Sequence, residues 1–411
     1  PTDMRETGYD ILFFWVAREM MLGIEMTGKS PYETVYLHGL VRNEDGEKIS
    51  KSMENIEEYD PLNIIDKYGT DALRYTLMTS ATPGLDMNLD PRRLEGARNF
   101  ANKIWQASRF VLMNTPETHV PVLGGTVELD DASIELADRW ILSRLNRVIG
   151  RVQRLFNSHQ YGEAGRQINE FLWSEYCDWY IEITKVRLYD DKVNNDVPLA
   201  VLLHVLETAL RLLHPYMPFV TEAIWQVLPE ATKKEGEALI VAPWPVSTED
   251  LLDGGAETSV SLLMELVRGI RNRRADYRVP PGKPIPAMVA AGAEAEMLEA
   301  QRAELCALAK LDCERLTIEE ALDPPSQAAT IVVGDVTCYL PLAEIVDLDA
   351  ERERLKEDLD DVEDRIAHSE GLLSGQFAEK APEHVVQRER DKLSELKAER
   401  DKLKDRLEAL T

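Results

Sequence analysis

The chain has 411 residues, of which 44% are hydrophobic and 29% charged, and its formal net charge is -27. Such a chain is long enough for two to four globular domains with cores of their own. No run of about 18 uncharged apolar residues occurs, which excludes an ordinary membrane-spanning helix. We therefore expect no membrane partner, and the isolated cysteines described next favour a cytoplasmic protein.

The cysteine pattern argues against a metal site. None of the four cysteines belongs to a Cys-x-x-Cys pair; they are Cys177, Cys306, Cys313 and Cys338. Zinc sites usually show such pairs, and isolated thiols suit a reducing compartment. We expect no structural metal. The acidic net charge does not exclude a nucleic-acid partner, because a phosphate backbone is bound by local basic stripes.

The first 60 residues predict a helix, a strand and a loop. Residues 8–28 are rich in aromatic and aliphatic side chains and indicate a helix, and the β-branched apolar residues 34–41 indicate a buried strand. A polar loop, 43–55, follows with a turn signal at Asp45-Gly46. This order is typical of an α/β unit with a parallel sheet, which binds ligands at the carboxyl ends of its strands.

Helical periodicity dominates the next part of the chain and predicts a helical bundle. The predicted helices cover residues 61–80, 92–114, 134–157, 160–190, 197–214 and 217–228. A further helix over 257–275 leads into a small α+β unit. Its elements are a strand at 285–290, a helix at 293–310 and strands near 329–333 and 336–340. In the last 65 residues, apolar positions at heptad-like steps on both sides of a Gly/Pro break predict an antiparallel coiled-coil hairpin.

The segment Lys48-Ile49-Ser50-Lys51-Ser52 has the chemistry of a phosphate site. Two ammonium groups and two hydroxyls can surround a polyphosphate and stabilise the charge that develops on a leaving pyrophosphate. A solvated Lys/Ser loop is the alternative. The position of the segment after His38-Gly39 and before a helical domain favours the phosphate interpretation.

Three motifs together resemble the second half of the catalytic domain of class I aminoacyl-tRNA synthetases. They are Leu37-His38-Gly39-Leu40-Val41, the lysine segment, and Tyr68-Gly69-Thr70-Asp71-Ala72-Leu73-Arg74-Tyr75. In that family a Lys-Met-Ser-Lys-Ser loop closes on ATP, bound with Mg²⁺ as the substrate complex. The resemblance implies that Lys48 and Lys51 contact the phosphates, assisted by Ser50 and Ser52. It further implies adenosine contacts along His38, Gly39 and Val41, with Ile49 in place of the usual methionine as an inward-packed anchor.

Residues 7–18 are similar to the amino-acid pocket of the valine-specific members of this family. The implied pocket residues are Gly8, Asp10, Ile11 and Trp15. Ile11 and Trp15 could instead be ordinary core residues. Asp10 could cap the helix or hold the ammonium group of the substrate.

A basic stripe lies on the predicted helix over 257–275 and on the residues just after it. We expect this stripe to contact the backbone of tRNA. The cations expected to make these contacts are Arg268, Arg271, Arg274, Arg278 and Lys283. A solvated helix face is the alternative. His214, by contrast, is expected to be a structural histidine at a helix end.

The resemblance extends over the whole chain and implies five regions. These are 1–60, the second half of a Rossmann-type catalytic domain; 61–95, a stem-contact helical region; 96–256, a helical anticodon-binding domain; 257–345, a small α+β junction domain; and 346–411, a coiled-coil tRNA-binding arm. It implies ATP, valine and tRNA(Val) as partners of a monomer.

The family's His-Ile-Gly-His-like motif, carried on the first half of the catalytic domain, does not occur in these 411 residues. We therefore expect the C-terminal portion of a longer ligase, which binds tRNA but is inactive in amino-acid activation by itself. The alternative is a stand-alone tRNA-binding protein derived from a synthetase, without aminoacylation activity.

Overall fold

The start of the chain forms a β–α–β unit with parallel strands. In the computed structural model, β1 (Thr2–Gly8) and β2 (Tyr32–His38) flank α1 (Ala17–Thr27). The Arg5 guanidinium and the Tyr32 hydroxyl both donate to the carboxylate of Glu19 in α1, at 2.9 and 3.4 Å. These bonds hold the helix against the two strands.

The structure describes residues 2–50, 53, 56–80, 82–117, 119–128, 133–190, 194–233, 237–375 and 381–408. They belong to two compact units, Pro1–Glu257 and Thr258–Thr411. In neither unit do the described residues include a helix that is both long and apolar enough to cross a membrane.

The predicted buried strand is only half-buried. In the described part of the chain β2 pairs with β1 alone, so its side chains from Thr34 to His38 keep partial access to solvent. The neighbouring helical segment is also open, and Phe13 and Met26 are 77% and 82% exposed. Many apolar side chains of this strand, which the sequence predicted to be buried, and of this helical segment are therefore not fully covered by other described residues.

A second pair of short parallel strands follows, β3 (Val41–Arg42) and β4 (Met87–Asn88). Between them lie α2 (Pro61–Tyr68) and α3 (Thr70–Ser80). Asp60 caps α2 by accepting the Leu62 amide at 2.8 Å, and Gly69, at φ 94°, separates the two helices. The predicted continuous helix over 61–80 is thus divided where the backbone adopts a conformation that favours glycine.

The remainder of the first unit is helical. Its helices are α4 (Pro91–Asn114), α5 (Leu136–Asn157), α6 (Tyr161–Glu170), α7 (Ile181–Leu188), α8 (Asp196–Leu213) and α9 (Pro218–Val227), with a π-helical stretch, Phe171–Tyr180, before α7. Helix α8 is the centre of the core, since almost every side chain in it is buried. The prediction of a mostly helical chain with a small sheet is confirmed.

The second unit contains a four-stranded sheet packed with helices. After α10 (Gly254–Asp276), the elements are β5 (Ile285–Ala290), α11 (Ala295–Ala300), α12 (Arg302–Ala309), β6 (Leu311–Glu319), β7 (Ala328–Val333) and β8 (Val336–Pro341). The strand order is β6-β5-β8-β7, with β5 and β6 parallel. Cys306 of α12 and Cys313 of β6 form a disulfide. The expectation of isolated thiols is wrong for this pair, because α12 turns directly into β6 and brings the two side chains together.

Two long helices end the described chain, α13 (Leu348–Ser374) and α14 (Glu383–Glu408). Lys397 contacts Glu370 at 2.7 Å, and Lys404 contacts Glu363 at 3.0 Å. The two helices therefore run in opposite directions, because the later residue of α14 pairs with the earlier residue of α13. The buried apolar positions of the two helices are Leu355, Val362, Ile366, Val386, Leu396 and Leu403. Most of the other residues in both helices are charged.

Candidate active site

Three predicted site residues meet at the carboxyl ends of β1 and β2. In the strand register Gly8 lies opposite His38. A Cβ atom on Gly8 would lie 2.7 Å from a carboxylate oxygen of Asp10 and 3.5 Å from Cε1 of His38. The carboxylate and the imidazole therefore both border the Gly8 backbone. Parallel sheets bind ligands at this edge.

Asp10 does not cap the helix that it precedes. Asp10 lies inside a 3-10 turn, Tyr9–Ile11, and the helical stretch that follows, Leu12–Val16, has Ile11 at its N-cap position with no side-chain cap hydrogen bond. The Asp10 side chain is exposed. The capping alternative is therefore not observed, and the carboxylate faces solvent at the strand edge.

Ile11 and Trp15 do not pack in the core of the first unit. Their exposed fractions are 46% and 55%, whereas Val16 beside them is completely buried. The core-packing alternative for these two residues is therefore wrong within the described chain. They present an apolar surface next to Asp10 in sequence.

Gly39 lies where a second backbone segment crosses the end of β2. A Cβ atom on Gly39 would overlap the Leu85 carbonyl group and lie 2.6 Å from the Asp86 nitrogen. The Gly84 amide donates to the Leu37 carbonyl at 2.9 Å, and the Met87 amide donates to the Leu40 carbonyl at 3.0 Å. Only glycine allows this approach. His38 Nδ1 lies 2.9 Å from the Gly39 carbonyl oxygen.

Asp86 is a site residue that the sequence analysis missed. Its carboxylate accepts the Leu40 amide at 2.8 Å and Nε of Arg42 at 2.5 Å. The hydrogen bond from the Leu40 amide, which has the larger effect, and the one from Arg42 hold the pKa of Asp86 below its usual value. Asp86 is 46 residues from Leu40 in sequence, so no local pattern indicated the contact. It holds the Leu40 backbone and the Arg42 side chain, one on each side of the half-buried Val41.

A tight turn leads into the lysine segment. The Glu47 amide donates to the Asn43 side chain at 2.6 Å, and Gly46 has a φ of 81°. An isolated antiparallel bridge then places Lys48 beside Arg42. Lys48 is exposed, and Ile49 and Ser50 are half-buried. Lys51 and Ser52 lie outside the described residues.

The five predicted cations of the basic stripe do not share one environment. Arg274 is only 6% exposed, and its guanidinium donates to the carbonyl groups of Lys310, Pro280 and Lys283 at 2.9–3.0 Å. This arginine is a structural residue of the second unit and is not available to a phosphate in this conformation. The reason is that α10 buries one face against the α12–β6 turn.

The other four cations of the stripe are exposed: Arg268, Arg271, Arg278 and Lys283. Arg271 Nε donates to the Leu308 carbonyl at 2.9 Å, and Lys283 Nζ donates to the Ile345 carbonyl at 2.9 Å. Arg278, at φ 51°, lies in the turn just after α10 ends at Asp276, and the Arg278 amide donates to the Ala275 carbonyl. The stripe is thus a surface of partly engaged cations at the end of α10.

Two polar contacts join α3 and α8 to α9 within the first unit. Asp71 accepts the backbone amides of Phe219 and Val220, at 3.1 and 2.7 Å, at the start of α9. His214 Nδ1 lies 2.8 Å from the Thr221 hydroxyl, and burial lowers the pKa of His214. His214 thus makes a structural contact between the end of α8 and α9. No group of three or more His, Cys, Asp or Glu side chains among the described residues could hold a metal ion.

Three family models match successive parts of the chain. Residues 1–90 match the model for class I tRNA synthetases (I, L, M and V), and residues 138–289 match the anticodon-binding domain of tRNA ligases. Residues 347–411 match the tRNA-binding arm of valyl-tRNA synthetases. The matches lie in the order in which the sequence analysis placed these functions.

Curated relatives align along essentially the whole chain. A valine–tRNA ligase of Carboxydothermus hydrogenoformans is 41% identical over 416 residues, which cover 100% of this chain and 45% of the relative. A valine–tRNA ligase of Dehalococcoides mccartyi is 45% identical over 401 residues, which cover 96% of this chain and 44% of the relative. The chain therefore spans less than half the length of these relatives.

Proposed function

Since the chain belongs to the class I aminoacyl-tRNA synthetases, we propose that it is the C-terminal portion of a valine–tRNA ligase. The complete enzyme would form valyl-adenylate from valine and ATP and transfer the valyl group to tRNA(Val). A stand-alone tRNA-binding protein is not favoured, because residues 1–90 match the synthetase model. The monomeric state and the cytoplasmic location stay predictions.

The observation that carries the proposal is the meeting of Gly8, Asp10 and His38 at one strand edge. A carboxylate at the open end of a parallel pair can accept hydrogen bonds from a substrate ammonium group. The bare backbone of Gly8 allows a ligand to approach closely. The exposed Ile11 and Trp15 next to Asp10 supply apolar surface for the valine side chain.

The reaction would use these groups as follows. A valine carboxylate oxygen attacks the α-phosphorus of ATP, which enters with Mg²⁺ as the substrate complex, and the bond to the β-phosphate oxygen breaks. The departing pyrophosphate carries the electron pair of that bond, and the ammonium of Lys48 stabilises its charge. Ser50 and, on sequence grounds, Lys51 and Ser52 assist it. A ribose hydroxyl of the tRNA then attacks the carbonyl carbon of the adenylate, and AMP leaves.

Asp10→Asn in the full-length ligase tests the valine pocket. A charge-assisted hydrogen bond contributes about 1.5–3 kcal/mol, so kcat/KM for valine in ATP–pyrophosphate exchange should fall by about 10- to 150-fold. Asp3→Asn, at the exposed opposite end of β1, is the matched control. Unchanged exchange in Asp10→Asn, or equal losses in both variants, would reject this role of Asp10.

Lys48→Ala tests the phosphate interpretation in the same assay. Removal of one preorganised cation that stabilises developing charge should lower kcat by about 100- to 1000-fold while changing the KM for valine little. Glu44→Gln, an exposed change in the preceding turn, is the control. A change confined to the KM for valine would contradict the assignment.

The exposed cations of the basic stripe are proposed to contact the tRNA backbone. In the complete enzyme, Arg278→Ala should weaken tRNA binding. It should also reduce the slope of log affinity against log salt by about 0.7–0.9, as expected for one lost phosphate contact. Asn272→Ala, an exposed neutral change on α10, should leave the slope unaltered. An equal slope for the unchanged enzyme, Arg278→Ala and Asn272→Ala would show that Arg278 does not contact the tRNA backbone.

A further inference from the structure

The disulfide in the second unit joins a buried residue to an exposed one. Cys306 is 5% exposed within α12, whereas Cys313 is exposed on β6. Their Cα atoms are 5.7 Å apart, inside the range of about 4.4–6.8 Å that a disulfide requires. The two residues therefore differ strongly in their exposure to solvent.

Cys313 lies in an irregular part of an edge strand. The pairing of β5 with β6 moves from Ile285 opposite Leu311 directly to Ala287 opposite Leu316, so residues 312–315 bulge from the ladder. A guanidinium nitrogen of Arg302 donates to the carbonyl groups of Cys313 and Leu316, at 3.1 and 2.9 Å. Helix α12 thus holds the bulge both through this arginine and through the disulfide.

The turn enclosed by the disulfide is also fastened to α10. Lys310 ends α12 with a φ of 55°, which is a strained conformation for a residue with a side chain. Arg271 donates to the Leu308 carbonyl and Arg274 to the Lys310 carbonyl. These bonds lie on the backbone between the two cysteines. Forming or breaking the disulfide therefore acts on the same turn that Arg271 and Arg274 of α10 hold by hydrogen bonds.

We propose that Cys306 and Cys313 form a reversible thiol-modification site for small disulfides such as oxidised glutathione. In the reduced protein, the Cys313 thiolate attacks a sulfur of glutathione disulfide, and one glutathione thiolate leaves. The Cys306 thiolate then attacks Cys313 sulfur in the mixed disulfide and releases the second glutathione. Two glutathione molecules reverse both steps, so atoms and electrons balance.

The direction of attack follows from exposure. Thiol–disulfide exchange requires access to the attacked and attacking sulfur atoms, and only Cys313 of the pair is exposed. The two remaining cysteines, Cys177 and Cys338, are buried, and burial raises the pKa of each to about 12. They serve as internal controls, because a dissolved disulfide cannot reach a buried thiol, and neither residue forms a disulfide as Cys306 does with Cys313.

The test places the whole chain in glutathione buffers of decreasing reducing strength. After an acid quench, the protein is unfolded, free thiols are alkylated, and peptides are analysed by mass spectrometry. Alkylation of Cys306 and Cys313 should fall together by at least about tenfold as the buffer becomes oxidising, while Cys177 and Cys338 remain alkylated. Cys306→Ser should accumulate a glutathione mixed disulfide on Cys313, and Cys313→Ser should leave Cys306 unmodified.

A second measurement compares hydrogen exchange in residues 307–312 of the oxidised and reduced protein. The proposal expects slower exchange in the oxidised form, and the difference should be absent in either serine variant. Alkylation of both cysteines in fully oxidising buffer would overturn the proposal. So would a mixed disulfide on Cys306 in Cys313→Ser, or a stable mixed disulfide in the unchanged protein.

Discussion

Replacing Gly39 by alanine should disrupt the end of β2 and the segment that crosses it. The added methyl group would overlap the Leu85 carbonyl and approach the Asp86 nitrogen at 2.6 Å. Both groups belong to backbone, so rotation of a side chain cannot relieve the contact. The crossing segment must move away from the strand end.

The cost can be estimated from the bonds that such a movement breaks. The amides of Gly84 and Met87 donate to carbonyl groups on either side of Gly39, and Asp86 accepts the Leu40 amide. Each hydrogen bond contributes about 0.5–1.5 kcal/mol, and overpacking costs about 1–3 kcal/mol. Partial relaxation places the loss of local stability at about 2–4 kcal/mol.

Hydrogen exchange read by mass spectrometry measures this loss locally. A decrease of about 2–4 kcal/mol corresponds to exchange that is about 30- to 1000-fold faster in residues 37–42 and 84–89. Gly96→Ala is the matched control, because a Cβ at this position in α4 meets no atom within 4 Å. It should stabilise α4 by about 0.5–1 kcal/mol. Exchange rates in Gly39→Ala that stay within about threefold of the unchanged protein, a difference of about 0.6 kcal/mol, would refute the close approach of the Leu85 backbone to Gly39.

Three further changes test other parts of the structure. Arg274→Ala removes a buried guanidinium that donates to three carbonyl groups and should destabilise the second unit by about 2–4 kcal/mol in urea unfolding. The exposed change Asn272→Ala on the same helix should cost below about 0.5 kcal/mol, and equal effects would contradict the structural role of Arg274. Asp71→Asn removes a carboxylate from the amino end of α9 and should lower stability by about 1–2 kcal/mol; no change relative to the exposed Asp66→Asn would count against the contact. For His214, burial lowers the folded-state pKa, so the unfolded state binds the proton more readily and stability falls as pH drops below the unfolded pKa of about 6.5. His214→Gln should flatten the fall in stability between about pH 7 and pH 5, and an unchanged slope would show that this histidine does not contribute to it.

The helices could be predicted because their signal is local. Apolar residues at three- and four-residue spacing placed the predicted helix over 92–114 within one residue of α4 (Pro91–Asn114). The family resemblance, drawn from motifs that are contiguous in sequence, is confirmed by relatives along the whole chain. Such features need no knowledge of distant partners.

Features that depend on distant partners were not predictable. β1 and β6 carry many charged residues without regular alternation, so each is identified only by the strand beside it. Arg274 looked like its exposed neighbours, but its burial depends on the Lys310 carbonyl 36 residues away. In the same way, Cys313 reaches Cys306 only because α12 reverses into an edge strand.

The most direct test of the proposed function is a crystal structure of the full-length ligase with a non-hydrolysable valyl-adenylate analogue. We predict that the valine ammonium group lies within about 2.6–3.2 Å of an Asp10 carboxylate oxygen. We also predict that the adenosine contacts the backbone of His38 and Gly39 at the end of β2. An analogue bound with its ammonium group paired to a different carboxylate, away from the Gly8 backbone, would contradict the account.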